Sequence, residues 1–241
     1  MATLKSQGRE HDTCALQTLS HLASTLDYAG RSIEAEAIFK DCSQKMKFYL
    51  GENNIHTLDT MVNLGATYGK LKNFAKAEEV FKECYEKKRI LLGEHHVETL
   101  HVQSHLASSY DNLQKYHEAE LLFKACLEKQ RVFFGPTFPN TLHTMNNLGG
   151  CYLRQGKHTE AELLLKECFE LKLATHGENH PETLRTMISL GGSYAGQKKY
   201  NEALKIASDC VKKMETVLGD HHQDTIIAKE LLNHVKSQLR L

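Results

Sequence analysis

Cysteine and histidine are the residues of this 241-residue chain with the widest chemical repertoire, and it holds seven and fifteen of them. No two cysteines form a CxxC pair, and the odd number argues against a disulfide framework or a zinc ribbon. Cys42, Cys84, Cys126, Cys168 and Cys210 instead follow one another at a constant 42 residues. A thiol at one recurring position reads as a small apolar side chain at a helix crossing. Successive copies would stand one helix-packing distance apart, about 8–10 Å, beyond the reach of about 7 Å that a disulfide allows between Cα atoms. Cys14 and Cys151 fall outside the column, and one of them is expected to be more exposed.

Among the histidines, His101 and His105 are four residues apart and so share a helix face, and His143 repeats His101 one period later. Three imidazoles brought together could hold a metal or sense pH, but a metal site wants a second shell and HVQSH supplies no acid. The reading adopted is polar lining of a binding surface, with no metal and no cofactor. His11, His56, His95, His96, His180, His221 and His222 lie at helix starts or connections, where capping and solvation account for them. Catalysis has no foothold: no Gly-rich phosphate loop ending in Lys-Ser or Lys-Thr, no HExxH and no Gly-x-Ser-x-Gly occurs. The chain is read as a non-enzyme.

The elements that position these residues follow from the same period. Ala35, Ala77, Ala119, Ala161 and Ala203 repeat at 42 residues, as do Gly51, Gly93, Gly135, Gly177 and Gly219. So do Leu22, Leu64, Leu106, Leu148, Leu190 and Leu232. Phe39, Phe81 and Phe123 give way to Leu165 and Ala207 in the same column. Self-similarity at a fixed period signals a repeat architecture. Leu58, Met61, Leu64, Gly65 and Tyr68 share one face of a first helix, A; Ala77, Val80, Phe81 and Cys84 share one face of a second, B. The glycine after helix B is expected to close it in the left-handed conformation, with Lys87, Lys88 and Arg89 facing the negative end of its dipole. His180-Pro181-Glu182 is a helix start. No alternating apolar pattern supports a strand.

Composition narrows the partners. Thirty basic and thirty acidic side chains leave no net field to attract nucleic acid or an anionic membrane. The longest apolar run is three residues, against roughly 20 for a spanning helix, and the N-terminus lacks a secretory apolar core. A cytoplasmic protein is expected.

Leu64-Gly65, Tyr68, Phe74, Ala77, Phe81 and Cys84 reproduce the order and separations of the tetratricopeptide signature. The longer unit, with segments such as NHPETL, MNNLGGCY and HTEAELLLKECFELK, resembles the repeats of kinesin light chains over roughly residues 12–240. That resemblance implies an all-α, right-handed solenoid of five helix-turn-helix units and a C-terminal capping helix, with helix A lining a concave groove. The units are expected at 12–53, 54–95, 96–137, 138–179 and 180–221, the cap at 222–241, and residues 1–11 as the remnant of a preceding repeat.

Two polar columns then face the groove: Gln17, Asp59, His101, His143 and Arg185, and His21, Asn63, His105, Asn147 and Ser189. Asparagine amides repeated along a groove can hold an extended backbone by donating and accepting. Arg154 and Arg185 suggest a basic end and Asp27, Asp59 and Asp111 an acidic one, with Val62, Leu153 and Ile188 as apolar seats. The expected function is a scaffold or adaptor that binds an extended peptide segment of a partner protein. The alternative is a structural or sensor arm of a larger assembly that binds no linear peptide.

Overall fold

The computed structural model describes residues 2–240, with side chains from Thr13 onward. The described residues form eleven α-helices and no strand: α1 (Ala2–Tyr28), α2 (Ser32–Leu50), α3 (Ile55–Lys70), α4 (Phe74–Leu92), α5 (Val97–Asn112), α6 (Tyr116–Phe134), α7 (Pro139–Arg154), α8 (His158–His176), α9 (Pro181–Gly196), α10 (Tyr200–Leu218) and α11 (Gln223–Leu239). Odd-numbered helices are the A helices and even-numbered ones the B helices. Residues 2–11 run on into α1, and the side chains on which a separate N-terminal remnant would be judged lie outside the described residues. None of these helices is long and apolar enough to cross a membrane.

The chain divides into two compact units, Met1–Leu122 and Phe123–Leu241, with the division inside α6. In unit 1, α1 packs on α2, α2 on α3, α3 on α4 and α4 on α5, and the A helices touch in the order α1, α3, α5. In unit 2 the same succession runs from α7 to α11, with α7 against α9 and α9 against α11.

The recurring columns are the core of each unit. Ala35, Phe39, Leu58, Met61, Leu64, Tyr68, Ala77, Phe81 and Cys84 are buried in unit 1; Leu184, Met187, Cys210 and Met214 do the same work in unit 2. Burying one such large side chain is worth about 1.5–3 kcal/mol, so no helix pair alone supplies enough. Leu22 departs from its column, being 48% exposed. Large and small side chains interlock at the crossings: a Cβ on Gly65 would stand 2.8 Å from the Phe81 ring, and one on Gly149 2.5 Å from Leu165.

All five column cysteines are buried free thiols, Cys151 is buried too, and Cys14 is the exposed one. Cys84 Sγ donates to the Leu58 carbonyl at 3.8 Å, and Cys168 and Cys210 donate to Leu142 and Leu184 at 3.4 Å. The thiol therefore adds a weak bond from helix B to helix A that alanine could not make. Burial pushes the thiols of Cys84, Cys126 and Cys210 up to about 12.

Helix ends differ from expectation in one respect. The closing glycines Gly51, Gly93, Gly177 and Gly219 have φ of 94°, 91°, 86° and 87°, but ψ of 157°, 161°, 169° and 164°. That is not the left-handed helical well but a region essentially reserved for glycine, because a Cβ clashes there. The A-to-B turns place non-glycine residues at positive φ, Lys72, Gln114 and Lys198 at 58°, 62° and 62°. His96, His180 and His222 cap α5, α9 and α11, each accepting from the backbone N–H two residues on.

Candidate functional site

On unit 1 the predicted residues lie along α1, α3 and α5. Gln17 is half-buried and His21 exposed on α1; Asp59 and Asn63 follow on α3, and His101 and His105 on α5. The His101 and His105 Nε2 atoms are 3.1 Å apart, and the His105 ring stacks on Phe81 at 5.1 Å, which fixes its orientation. Asn63 is exposed on α3, and its side-chain amide makes no hydrogen bond with a described residue.

On unit 2, Asn147 donates its amide N–H to His143 Nε2 at 3.0 Å. His143 keeps solvent access, but the protein packed around it holds its imidazole below the ordinary value; Lys172 and Arg185 add to this and Glu182 opposes it. Ser189 donates to the Arg185 carbonyl at 3.4 Å. Arg154 ends α7 with its guanidinium lying over Gly150.

The charges expected to give the groove an acidic and a basic end are largely engaged within the protein. Asp27 pairs with Lys70 at 2.8 Å, and Asp111 is buried. Arg185 donates to Glu182 at 2.6 Å and to Asp224 at 2.7 Å. Asp59 accepts from Lys88 at 2.5 Å. The polarity read from sequence counted side chains without their partners.

Lys88 is the residue the sequence reading misplaced. It does not face the end of its own helix dipole: it is 2% exposed, and its ammonium passes between two A helices to Asp59 on α3 and to Glu98 on α5, the latter at 2.7 Å. Burial alone would lower its pKa, but the hydrogen bonds to Asp59 and Glu98 outweigh burial and the ammonium is raised. In unit 2 Lys172, equally buried, reaches the Glu182 carboxylate at 3.3 Å and its carbonyl at 3.2 Å. The available signal was a cation at positions 88 and 172 in a helix B column otherwise occupied by Met46, Gln130 and Met214.

Among the described residues no three His, Cys, Asp or Glu side chains gather as metal ligands. A recess of about 530 Å³ lies in unit 1 between α2, α3 and α4, lined by Lys40, Lys76, Tyr68, Met61 and Val80 among others, and contains none of the predicted site residues.

The tetratricopeptide repeat family profile matches residues 14–90, 98–174 and 141–216, and the chain belongs to that family. No curated protein matches it. Among solved structures it is similar to the nearly identical repeats of a kinesin light chain from Podosopora anserina, at 20% identity and a TM-score of 0.71 over 85% of this chain and 96% of that one. It also resembles BtubC (BKLC) from P. vanneervenii, at 17% identity and a TM-score of 0.72 over 90% and 88%. A Rap protein complexed with competence and sporulation factor aligns at 14% identity and a TM-score of 0.69, over 92% of this chain and 64% of that one. At such identities the likeness concerns the fold.

Proposed function

We propose that the chain is a non-catalytic, cytoplasmic interaction scaffold that holds an extended peptide segment of a partner protein against its A helices. The observation that carries this is Asn63: an exposed amide in the middle of an A-helix row, with both donor and acceptor unspent. Such a group recognises a peptide backbone with little regard to sequence. The likeness to a Rap protein complexed with competence and sporulation factor, and to NprR in complex with its cognate peptide NprX, supports the same reading. The proposed groove residues are Gln17, His21, Asp59, Asn63, His101 and His105 in unit 1, and His143, Asn147, Arg154, Arg185 and Ser189 in unit 2.

One observation favours the rival, a structural or sensor arm that packs through its B helices. Phe48 and Ile90, one period apart at the ends of α2 and α4, are each 82% exposed, beside Tyr49 and Leu91. Selecting binders from a random peptide library on wild type and on an Asn63→Leu, Asn147→Leu double variant separates the two. Enriched peptides that the variant releases support groove binding. Enrichment of nothing by folded wild type, or retention of every peptide by the variant, would turn the reading toward the B-helix surface.

A further inference from the structure

Lys88 uses only one oxygen of each of its partners, Oδ1 of Asp59 and Oε2 of Glu98. Asp59 Oδ2 and Glu98 Oε1 accept no hydrogen bond from a described residue. Both side chains remain half-exposed, at 47% and 43%, and two carboxylates sharing one ammonium leave one negative charge uncompensated. The buried ammonium fixes the carboxylates from behind, so the open oxygens are held in place before anything binds.

Two periods later, in unit 2, the counterpart of Asp59 is His143, but the lysine and glutamate recur and there the second oxygen of the glutamate is filled. Glu182 corresponds to Glu98, Lys172 to Lys88 and Arg185 to His101, each pair 84 residues apart. Glu182 gives Oε2 to Lys172 and Oε1 to the guanidinium of Arg185, at 3.3 and 2.6 Å. That guanidinium also reaches Asp224 on α11, one seam further along than the α7–α9 counterpart of α3–α5, so a planar fork can join carboxylates of two adjacent A helices. In unit 1 the residue three positions after the glutamate is His101, whose Nε2 is engaged with His105. Glu98 therefore has its lysine but lacks the guanidinium that its counterpart holds.

We propose that Asp59 and Glu98, held by Lys88, form a subsite for the guanidinium of an arginine side chain in the bound peptide. This rests on the peptide-binding reading and deepens it: one basic residue of the partner segment docks between α3 and α5 while amides and imidazoles hold its backbone. A guanidinium suits the place better than a second ammonium, because its planar fork presents several N–H donors at fixed separation, as Arg185 does to Glu182 and Asp224.

The test has two arms, so that the two readings fail separately. In the first, a library-selected peptide is compared by fluorescence anisotropy with versions carrying citrulline or lysine in place of arginine. Citrulline keeps the shape and removes the charge; it should weaken wild type about tenfold, a difference of about 1.4 kcal/mol. Glu98→Gln should erase the discrimination. His101→Arg, which supplies from within the guanidinium that Arg185 gives Glu182, should weaken the arginine peptide while leaving the melting temperature unchanged or higher. In the second arm, N-acetyl-arginine amide and N-acetyl-lysine amide are titrated into the isotopically labelled full chain, with the backbone signals of Asp59 and Glu98 followed. Shifts with the arginine probe alone, lost in Glu98→Gln, uphold the subsite even if the library enriches no peptide, in which case only the peptide reading falls. Equal response to both probes, no response, or peptides indifferent to citrulline would overturn the subsite.

Discussion

The ring of Phe81 fills the space that a side chain on Gly65 would need, only 2.8 Å from where its Cβ would stand. Gly65 lies inside α3, where alanine would ordinarily gain up to about 1 kcal/mol of helix propensity. Here that gain is outweighed, because Phe81 is buried and has no room to retreat. Gly65→Ala is expected to lower stability by a net of about 1–2 kcal/mol, within the range for overpacking. Gly65→Ala combined with Phe81→Leu should recover part of the loss, and denaturant melts of both singles and the double would show it. Strict additivity of the two single effects would mean that the contact is not the cause.

The closing glycines make a second, sharper case. In the left-handed helical well asparagine is a common substitute for glycine, but Gly93 has φ 91° and ψ 161°. Gly93→Asn and Gly93→Ala should therefore cost similar amounts, about 1–3 kcal/mol each. Lys198, by contrast, carries a Cβ at φ 62°, and Lys198→Gly should be neutral or stabilising by up to about 1 kcal/mol. Thermal melts decide it, and an asparagine at position 93 as stable as wild type would contradict the backbone geometry.

Sequence periodicity read the fold well because each column repeats one packing requirement. Leu58, Leu100, Leu142 and Leu184, one period apart, are all buried, and Pro139 and Pro181 begin helices as local rules dictate. Where the reading fell short, a side chain crosses between helices. Nothing local distinguishes Lys88, reaching through to Asp59 and Glu98, from Lys87 beside it, which pairs with Glu52 and Glu83, so Asp59 reads as a free acid of the groove. The ψ of the closing glycines was equally out of reach, because glycine is acceptable in both conformations.

Removing Lys88 and removing its partners should have unequal effects. Lys88→Met, the residue found at positions 46 and 214, leaves two half-exposed carboxylates that water can solvate, and is expected to cost less than about 1 kcal/mol. Asp59→Asn with Glu98→Gln leaves a buried ammonium without its counter-charges, at a cost of about 3–5 kcal/mol. Since the raised Lys88 pKa favours the charged form in the folded state, this stabilisation is complete below about pH 10.5, the ordinary lysine value. It is lost as pH rises through the folded-state value. Equal melting temperatures for the two variants would remove the clamp as a structural element.

Thiol chemistry should separate Cys14 from the other six. In native protein at pH 8 a thiol-exchange reagent is expected to label Cys14 quickly and the rest only after unfolding, because burial excludes the reagent from all six and disfavours the thiolate at the five column cysteines. Cys14→Ser should abolish the fast phase. More than one fast equivalent in the wild type would show that a second thiol, Cys151 or one of the column, is accessible.

His143 supplies a test of pH dependence on the A-helix face of unit 2. The packing around its ring, with Lys172 and Arg185, favours the neutral imidazole in the folded state, whereas an unfolded chain takes up the proton near the ordinary value of about 6.5. Between the folded-state value and 6.5 the unfolded state binds more protons, so stability must rise with pH across that window. The contribution is fully present above about pH 6.5, declines as pH falls through the window, and becomes constant below the lower value. His143→Gln keeps an acceptor for the Asn147 amide but cannot titrate. The drop in melting temperature between pH 7.5 and 5.5 should therefore be smaller in the variant than in wild type. Any variant as acid-sensitive as wild type would mean that the ring is solvated well enough to accept its proton normally. If the partner peptide covers His143, binding should further favour the neutral ring, and the affinity of wild type should weaken below pH 6.5 more than that of the variant.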